Sequence, residues 1–367
     1  MKTGGEETFL EKRGAAPASF LSPGPPLLQK TVSGVRGGES EIGLFHWETA
    51  MHKDLKDAIL KVLPDVECVI GWGPGPDPLR SAPLFMRKPE DVDRFMAGPL
   101  AVSNPAVFLP EYKGHKVGIV VKGCDSRSVV QLIAEGLIKR EEVVIIGFPC
   151  EGVVDVAKIA KKLGTELEPG MVEAAEVRDG KVKVTAKGET REFPLAEVMA
   201  GKCGICVFPN AVLSDVFVGK EREGLKDEFA DLAAFEAMSY DERLAFWEEE
   251  MSRCIRCYTC RNACPLCVCR EHCVATSRDP HWLSQADSTR EKLFFQLVHA
   301  THLAGRCTGC GECQRACPVG IPVGLFKRVM GRAALNLFGY KAGTNIEDVP
   351  PLQTFAVEEP TIKERDW

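Results

Sequence analysis

Two short cysteine-rich runs decide how this chain folds. Residues 254–265 read CIRCYTCRNACP, and residues 307–318 read CTGCGECQRACP. Both runs follow the pattern C-x2-C-x2-C-x3-C-P, and about forty residues separate them. Three cysteines at this spacing wrap a short loop around a metal cluster, so each run predicts a cluster-binding loop.

The same spacing, closed by proline, is the signature of bacterial-type ferredoxins. In proteins with two such runs, the fourth cysteine of each run ligates the cluster of the other run. One [4Fe–4S] cluster is therefore assigned to Cys254, Cys257, Cys260 and Cys317. The second is assigned to Cys307, Cys310, Cys313 and Cys264. The alternatives are zinc, which needs only two C-x2-C pairs, disulfides, and a radical-SAM pattern at Cys260, Cys264 and Cys267.

Composition and charge narrow the class of protein. The chain has 367 residues, of which 45% are hydrophobic, so two or three domains with a sizeable core are expected. The net charge of −6 argues against a nucleic-acid partner, and no apolar run reaches the length of a membrane span. The N-terminus lacks the pattern of a signal peptide. Sixteen cysteines in such a chain indicate metal sites in a reducing cytoplasm, as in an anaerobe.

The distribution of apolar, Gly and Pro residues divides the chain into five parts. Residues 1–45 are predicted to be a flexible arm, and residues 46–220 an α/β domain. A helical connector is predicted over 221–252, an α-helical domain with both ferredoxin runs over 253–335, and a C-terminal tail over 336–367. The predicted fold class is thus an α/β sheet domain with a small β insertion, followed by an α-helical dicluster ferredoxin domain.

Strand–loop–helix units in the first domain indicate a parallel sheet. Residues 117–121 and 143–147 are apolar strands, and a loop is predicted over 122–128 before the intervening helix. Ligands of such sheets bind at the carboxyl ends of the strands, where cations and glycines suit a phosphate group. The residues expected to bind a cofactor there are Lys122, Gly123, Arg127 and Gly152.

Two further segments of this domain have clear patterns. Residues 72–80 are rich in Gly and Pro and end in Arg80, so they are predicted to form either an ordinary rigid turn or an anion site, and not an inner strand. Residues 172–193 alternate apolar and polar, with a turn at Asp179-Gly180. This alternation predicts a β-hairpin continued by a third strand, which is the small β insertion.

The spacer between the ferredoxin runs is helical. Residues 288–291 read STRE, a capping box that begins a helix, and Gly305 ends it. A long helical spacer distinguishes this domain from short ferredoxins with hairpin connections. The pattern resembles the C-terminal half of succinate-dehydrogenase iron–sulfur subunits and the small subunit of heterodisulfide reductase.

Four more cysteines lie at the ends of predicted sheet elements. Cys203 and Cys206 form a C-x2-C pair, while Cys124 and Cys150 each follow a predicted strand. If the four converge at one edge of the sheet, they would form a third [4Fe–4S] site. The alternative is that they are buried as small apolar residues, which is common for cysteine.

These segments resemble the beta-subunit family of coenzyme F420-reducing hydrogenases and dehydrogenases. The resemblance rests on KGCDSR at 122–127, IGFPCE at 146–151 and KCGIC at 202–206, and it covers about residues 45–220. It implies that the domain binds FAD and a [4Fe–4S] cluster and exchanges electrons with a soluble two-electron carrier. The cysteines that match the family are Cys124, Cys150, Cys203 and Cys206. The chain departs from the family at its start, where an early cysteine motif is missing, and it carries a dicluster module fused at the C-terminus instead. Because a fused relay indicates another partner, specificity for the deazaflavin F420 is in doubt.

Several remaining residues have open roles. Cys267, Cys269 and Cys273 form a dense run that could bind a further cluster, or a metal together with His272. Cys68 lies in an apolar strand and is expected in the core. His299 and His302 lie on the spacer helix, where packing or surface roles are expected.

These features predict an iron–sulfur, flavin-containing electron-transfer subunit of a cytoplasmic anaerobic oxidoreductase complex, such as a hydrogenase, a formate dehydrogenase or a heterodisulfide-reductase-like assembly. The expected partners are other oxidoreductase subunits and a soluble two-electron carrier. No catalytic residue is assigned. The alternatives are a self-standing flavin and iron–sulfur reductase of a small substrate, and a flavin-free ferredoxin-like relay. The sequence does not identify the electron donor, the acceptor or the direction of flow.

Overall fold

The structure is a computed structural model that describes residues 50–269, 273–277, 283–284 and 286–355. The predicted N-terminal arm and His272 lie outside the described residues. The strands are β1 (Val69–Pro74), β2 (Ser81–Met86), β3 (Val117–Val121), β4 (Val143–Gly147), β5 (Val172–Arg178), β6 (Lys181–Ala186), β7 (Glu189–Pro194) and β8 (Val216–Phe217).

The α-helices are α1 (Ala50–Val62), α2 (Gly123–Ala134), α3 (Val156–Leu163), α4 (Leu195–Val198), α5 (Ala233–Glu236), α6 (Tyr240–Ser252), α7 (Thr259–Asn262), α8 (Val274–Ser277), α9 (Thr289–His302), α10 (Glu312–Arg315) and α11 (Gly324–Phe338). Short 3-10 helices cover Leu63–Asp65, Pro89–Arg94, Pro105–Tyr112, Arg140–Glu142, Gly201–Ile205, Ala230–Leu232 and Pro351–Gln353.

A five-stranded sheet in the order β2-β1-β3-β4-β8 forms the first half of the described chain. Its strands are parallel except β2, which is antiparallel to β1. Every residue of β3 is buried, because α1 packs on one face of the sheet while α2 and the Pro105–Tyr112 helix pack on the other. The near-continuous apolar run of β3 is typical of a parallel strand covered on both faces.

Two local predictions in this half were wrong. The loop expected over 122–128 is helical, because α2 begins at Gly123 and the Asp125 carboxylate accepts the backbone N–H of Lys122 at 3.2 Å. The Gly/Pro segment that begins at Trp72 starts inside the sheet, since β1 continues to Pro74. Beyond Ile70, β1 pairs continuously with β2, while its other edge forms an isolated bridge from Trp72 to Met96. A strand paired on one side tolerates Pro because no second ladder needs its N–H.

The remainder of that segment is an internal turn. Arg80 donates to the Asp77 carboxylate and to the Leu167 carbonyl oxygen. Asp77 also accepts the backbone N–H of Gly170 at 3.0 Å. The guanidinium therefore has protein partners on both sides, which supports the ordinary-turn alternative.

The predicted β insertion is present as an antiparallel three-stranded sheet in the order β5-β6-β7. Its first turn has positive φ angles at Asp179 (50°) and Gly180 (72°). Two left-handed residues in a two-residue hairpin turn are the pattern that Asp-Gly favours. The insertion packs its apolar side against α3 and α4.

The second half of the described chain is helical. Ser239 caps α6 and Ser288 caps α9, each by accepting a backbone N–H at 3.3 Å. Trp247 of α6 stacks on Phe326 of α11 with ring centroids 3.6 Å apart. The segment predicted as a helical connector is helical only from Ala230 onward.

The face of α2 joins the two halves. The Ser128 hydroxyl lies 3.0 Å from the Thr308 hydroxyl, and Arg306 donates to the Glu135 carboxylate at 2.8 Å. Gln131 accepts from the Tyr340 hydroxyl at 3.0 Å. Leu266 and Leu303 also belong to the apolar core beneath the sheet. The sheet and the cysteine-bearing helices therefore form one packed unit.

The predicted fold class is confirmed: a mixed α/β sheet part is followed by a helical part that carries the dicluster segment. Helix α11 ends at Phe338, beyond the boundary predicted at residue 335. The other proposed boundaries stay predictions. Among the helices in the described ranges, none combines the length and apolarity that a bilayer crossing requires.

Candidate metal centres

The structure brings the first four assigned cysteines together around one small cavity, lined by Cys254, Cys257, Cys260 and Cys317. Three of them come from the loop after α6 and from α7, whereas Cys317 arrives from beyond α10. The loop curls because Arg256 and Tyr258 have positive φ angles of 50° and 58°. This geometry is the cross-over that the two-run pattern predicts.

Hydrogen-bond donors already point at the sulfurs of this first set. The backbone N–H of Arg256 donates to Cys254 Sγ at 3.4 Å, and the Thr259 hydroxyl donates to Cys257 Sγ at 3.2 Å. Gln296 of α9 donates to Cys260 Sγ at 3.6 Å. Burial at Cys257 opposes the thiolate, but the Thr259 hydrogen bonds outweigh it and lower the pKa of this exposed thiol. Donors of this kind suit thiolate ligands, whose charge they stabilise.

The second set repeats the same loop geometry. Gly309 and Gly311 have positive φ angles of 69° and 73°, at the motif positions that Arg256 and Tyr258 occupy in the first loop. Burial is the main cause that raises the pKa of Cys310 to about 12, with Cys307 adding to it. Burial also raises the pKa of Cys264, and the charges of Cys310 and Cys313 raise it further. Cys264 therefore lies within electrostatic reach of Cys310 and Cys313, and its assignment as the fourth ligand of this set stays a prediction.

The charged groups around the two sets fit a cluster with excess negative charge. Lys327 of α11 is 1% exposed, and its ammonium has no hydrogen-bond partner among the described residues. The thiols whose charges act on it belong to both sets: Cys313, Cys264, Cys307 and Cys260. An unpaired buried cation is unfavourable unless an anionic group lies beside it. A [4Fe–4S] cluster held by four thiolates would supply that group.

Single-ion chemistry fits the cysteine geometry less well. Zinc needs its sulfurs about 2.3 Å from one point. Within the residues that the structure describes, no three His, Cys, Asp or Glu side chains converge closely enough to hold one metal ion. The cysteines of the first and third sets instead surround cavities. Every cysteine is a free thiol, so the disulfide alternative finds no support.

The third set surrounds a cavity of about 320 Å³, lined by Cys124, Cys150, Cys203 and Cys206. Cys124 lies in the first turn of α2, Cys150 follows β4, and the C-x2-C pair lies at the Gly201–Ile205 helix. Backbone N–H groups of Gly152 and Val153 donate to Cys150 Sγ and Cys203 Sγ, each at 3.4 Å. Burial raises the pKa of Cys150 to about 11. The set resembles the first set in its backbone N–H donors to sulfur.

Lys202 connects the second and third sets. Its ammonium donates to the carbonyl oxygen of Cys310 and lies 4.0 Å from Cys124 Sγ. Burial opposes its charge, but Cys124 and Glu312 outweigh burial and raise its pKa. Thr308 and Gly309, from the second cysteine loop, also line the cavity of the third set. The two sets are therefore neighbours.

The two cations expected to hold a flavin phosphate already have partners inside the protein. The Lys122 ammonium is fully buried, lies 2.7 Å from the Asp125 carboxylate, and sits 4.1 Å from the centroid of the Trp72 ring. Arg127 pairs with Glu228 at 3.1 Å and donates to the Ala342 carbonyl oxygen at 2.7 Å. As placed, these two side chains do not fit a flavin phosphate, because their charges are already compensated.

The two glycines assigned to the cofactor have different neighbours. A Cβ on Gly123 would lie 1.8 Å from the Phe208 carbonyl oxygen, so this glycine permits a close backbone contact with the chain itself. Gly152 has a φ of 109°, and a Cβ there would lie 3.5 Å from the Cys203 Cβ. Of these two glycines, only Gly152 therefore lies against a cysteine of the third set. The assignment of all four residues to a cofactor stays a prediction.

The remaining cysteines and histidines have mixed environments. Burial raises the pKa of Cys267 to about 11, and Cys273 and Cys269 add to the shift, so these three thiols are neighbours. Cys68 is fully buried in the core, as expected. His299 is buried against Phe295, with ring centroids 5.7 Å apart, while His302 is exposed.

Three functional neighbours were missed by sequence reasoning: Lys202, Gln296 and Lys327. Lys202 is adjacent to the C-x2-C pair, so its position was a usable signal. Gln296 and Lys327 lie on helices that carry no motif. Their positions depend on how α9 and α11 pack, which spacing alone does not reveal.

Comparison with known proteins matches both halves of the chain. Residues 250–321 match the family described as 4Fe-4S dicluster domain. With the cysteine geometry above, this defines an iron–sulfur electron-transfer protein with two [4Fe–4S] clusters in its C-terminal part. Residues 114–234 match the family described as the C terminus of the coenzyme F420 hydrogenase/dehydrogenase beta subunit. The chain thus carries a domain of that beta-subunit family joined to a C-terminal dicluster domain, as its motifs predict.

Curated relatives align over most of the chain. The F420-dependent formate dehydrogenase subunit beta of Methanocaldococcus jannaschii is 24% identical over 362 residues, covering 83% of this chain and 93% of that protein. The F420-dependent formate dehydrogenase 1 subunit beta of Methanococcus maripaludis is 27% identical over 361 residues, covering 80% and 92%.

A solved structure of the F420-reducing [NiFe] hydrogenase complex from Methanosarcina barkeri, derivatised with xenon, is also similar. It has a TM-score of 0.36 and 15% identity, and covers 56% of this chain and 86% of that one. A likeness this weak decides nothing about function.

Proposed function

We propose that the chain is the beta subunit of a cytoplasmic, F420-dependent oxidoreductase complex of the formate dehydrogenase or hydrogenase type. In that role it would conduct electrons between a partner subunit and the soluble two-electron carrier F420. The names of the two relatives support formate dehydrogenase as the first candidate for the complex. Clusters bound at the three cysteine sets would supply one-electron transfer.

The adjacency of the three cysteine sets carries this proposal. Lys327 faces thiols of the first and second sets. Lys202 reaches from Cys310 of the second set to Cys124 of the third. One end of this series, Cys257, is exposed, whereas the other end opens into the cavity of about 320 Å³. In this proposal, the three sets form a continuous series of redox sites between the surface and a cavity large enough to receive part of a second redox molecule.

The residues of the chain have defined tasks in this series. N–H donors such as Arg256 and Gly152 stabilise the thiolates of the first and third sets. Lys202 and Lys327 place positive charge between successive sets. Burial by α9, α11 and the sheet excludes water from the second set. Low solvent exposure keeps electrons from leaking to small oxidants.

The proposal that the chain binds FAD rests on the family resemblance alone. Lys122 and Arg127 are bound within the protein, so the phosphate site expected from the sequence is not supported by their contacts. This observation favours a second candidate, a flavin-free relay in which the cavity only docks a partner.

Metal and flavin content separate these candidates. The chain is purified anaerobically, and iron, acid-labile sulfide and released flavin are measured. The first proposal predicts about 12 irons and one FAD per chain, and dithionite-reduced protein freed of excess reductant should reduce added F420. About 8 irons without flavin would favour the relay. A full complement of iron and FAD without F420 reduction would contradict the carrier assignment. Turnover of a small substrate by the chain alone would instead favour a self-standing reductase.

A further inference from the structure

Lys327 is a buried cation whose ammonium lacks a hydrogen-bond partner. It lies on α11, it is 1% exposed, and its ammonium makes no hydrogen bond within the described part of the chain. It borders a small cavity together with Cys307 and Thr308 of the second cysteine loop. Burying an ammonium without a hydrogen-bonding or anionic partner is strongly unfavourable. The Glu228 carboxylate lines the same cavity but pairs with Arg127 and Lys341. The position of Lys327 therefore implies a further anionic group that binds in its vicinity.

The thiols around Lys327 come from both ferredoxin sets. Cys313, Cys264 and Cys307 belong to the second set, and their charges raise the pKa of Lys327 against the opposing effect of burial. Cys260, from the first set, acts in the same direction. A cation close to only one ligand set would interact electrostatically with the thiols of that set alone. The packing agrees, because the preceding residue of α11, Phe326, lies in one apolar cluster with Cys254, Cys260 and Cys313. Lys327 itself borders a cavity with Cys307, so it is positioned close to both sets.

Neighbouring titratable groups do not take over this role. His299 of α9 is buried near Lys327, and burial lowers its pKa to about 2, so its ring is neutral. Lys292 of α9 lowers the pKa of Cys254 in the first set, and its ammonium pairs with Asp287 at 2.6 Å. Lys202 acts on the other side of the second set, toward Cys124. Lys327 is distinguished from both lysines by facing ligands of the first and second sets together.

We infer that Lys327 is the shared counter-charge of the two ferredoxin clusters and raises the reduction potential of both. This inference rests on the ligand assignment proposed above. When one electron passes between the clusters, one is oxidised as the other is reduced, so the total negative charge is unchanged. A cation between them stabilises the added electron at either site. Lys327 thus acts as an electrostatic counter-charge to both clusters and not as a ligand of either.

The test measures the two potentials directly. Lys327→Met and Lys327→Gln remove the charge, whereas Lys327→Arg keeps it. The variants are purified anaerobically, their iron is counted, and both clusters are titrated by EPR at controlled potential. Each neutral variant should make reduction of both clusters at least tenfold less favourable, which is about 59 mV for a one-electron couple. Lys327→Arg should retain most of the wild-type potential.

Arg332→Gln is the matched control, because it removes one cation from the same helix. Arg332 pairs with Glu236 near the surface, so both potentials should stay within the error of the wild type. Unchanged potentials in both neutral Lys327 variants would overturn the inference, as would a shift of the same size in Lys327→Arg. If the neutral variants lose iron while Lys327→Arg keeps it, the charge is needed for cluster binding, which supports the inference. Loss of iron in all three would assign Lys327 a packing role instead.

Discussion

At the scale of single residues, the two cysteine loops differ in sequence but share a backbone shape. The left-handed positions are Gly309 and Gly311 in one loop, and Arg256 and Tyr258 in the other. Glycine adopts this conformation without strain, whereas Arg and Tyr pay a conformational cost for it. The first loop therefore stores a strain that cluster binding must offset. We expect the first loop to depend more on its cluster than the second.

The fourth cysteine of the first run provides the sharpest residue-scale prediction. Cys264 follows the first loop, yet its electrostatic neighbours are Cys310 and Cys313 of the second. Cys264→Ser should therefore remove or convert the second cluster and leave the first intact, as measured by EPR and iron content. Cys269→Ser, which changes an exposed thiol a few residues away, is the control. Loss of the first cluster's signal alone would refute the crossed ligation.

The cysteine positions at both ferredoxin loops were predictable, because the cluster fixes their spacing along the chain. The residues that surround them were not. Gln296 donates to Cys260 across 36 residues of sequence, and Lys202 reaches Cys310 across 108. These contacts depend on helix packing, which a local pattern does not encode. The phosphate-binding role expected for Lys122 stays a prediction. Its ammonium lies 2.7 Å from the Asp125 carboxylate inside the core, a pairing that the sequence pattern does not indicate.

At the scale of elements, α2 has two tasks. Its first turn supplies Cys124 to the third set, and the face that follows contacts the helical half through Ser128, Gln131 and Glu135. The strands on either side of α2 were predicted from their apolar runs. The start of α2 was not, because Gly123 in a Gly-Cys-Asp-Ser sequence is typical of a loop. The Asp125 contact with the Lys122 N–H is what begins the helix there.

The pairing of α2 with the helical half makes a stability prediction. The Glu135 side chain is 1% exposed and its partner Arg306 is 17% exposed. Arg306→Gln would leave a buried carboxylate without its cation, and this should lower the free energy of unfolding by about 3–5 kcal/mol. Denaturant unfolding of the cluster-loaded chain measures it. Lys162→Gln, at an exposed pair with Glu197, should cost less than about 1 kcal/mol. Equal effects of the two variants would contradict this role of α2.

Helix α9 gives a prediction about pH. Burial lowers the pKa of His299 to about 2, whereas an unfolded histidine titrates near pH 6.5. Between pH about 2 and pH 6.5, His299 therefore binds a proton in the unfolded chain but not in the folded chain. The stabilising contribution of neutral His299 is complete above pH 6.5. This contribution to the free energy of unfolding should fall by about 1.4 kcal/mol for each pH unit below 6.5.

Comparing variants isolates this effect from the general acid sensitivity of the clusters. His299→Phe should reduce the dependence of the free energy of unfolding on pH between pH 6.5 and 5.5, while stacking on Phe295 is retained. His302→Gln, on the same helix but exposed, should leave the slope unchanged. A slope in His299→Phe equal to that of the wild type would show that His299 is protonated in the fold.

At the scale of the whole molecule, the chain arranges three cysteine sets in series. Thiols of both ferredoxin sets raise the pKa of Lys327. Lys202 contacts Cys310 of the second set and Cys124 of the third. The relation of the halves was not predictable, because the sequence pattern assigns them to separate domains. The structure packs Leu266 and Leu303 of the helical half into the core beneath the sheet. This packing is what places the third set beside the second.

The iron content of two matched proteins tests the central claim, that one chain binds three clusters in series. Wild-type protein and the double variant Cys203→Ser/Cys206→Ser are purified anaerobically and compared by iron and sulfide analysis and by EPR. We predict about 12 irons in the wild type and about 8 in the variant, with both ferredoxin signals retained. About 8 irons in both proteins would contradict the third site and reduce the series to the two ferredoxin clusters.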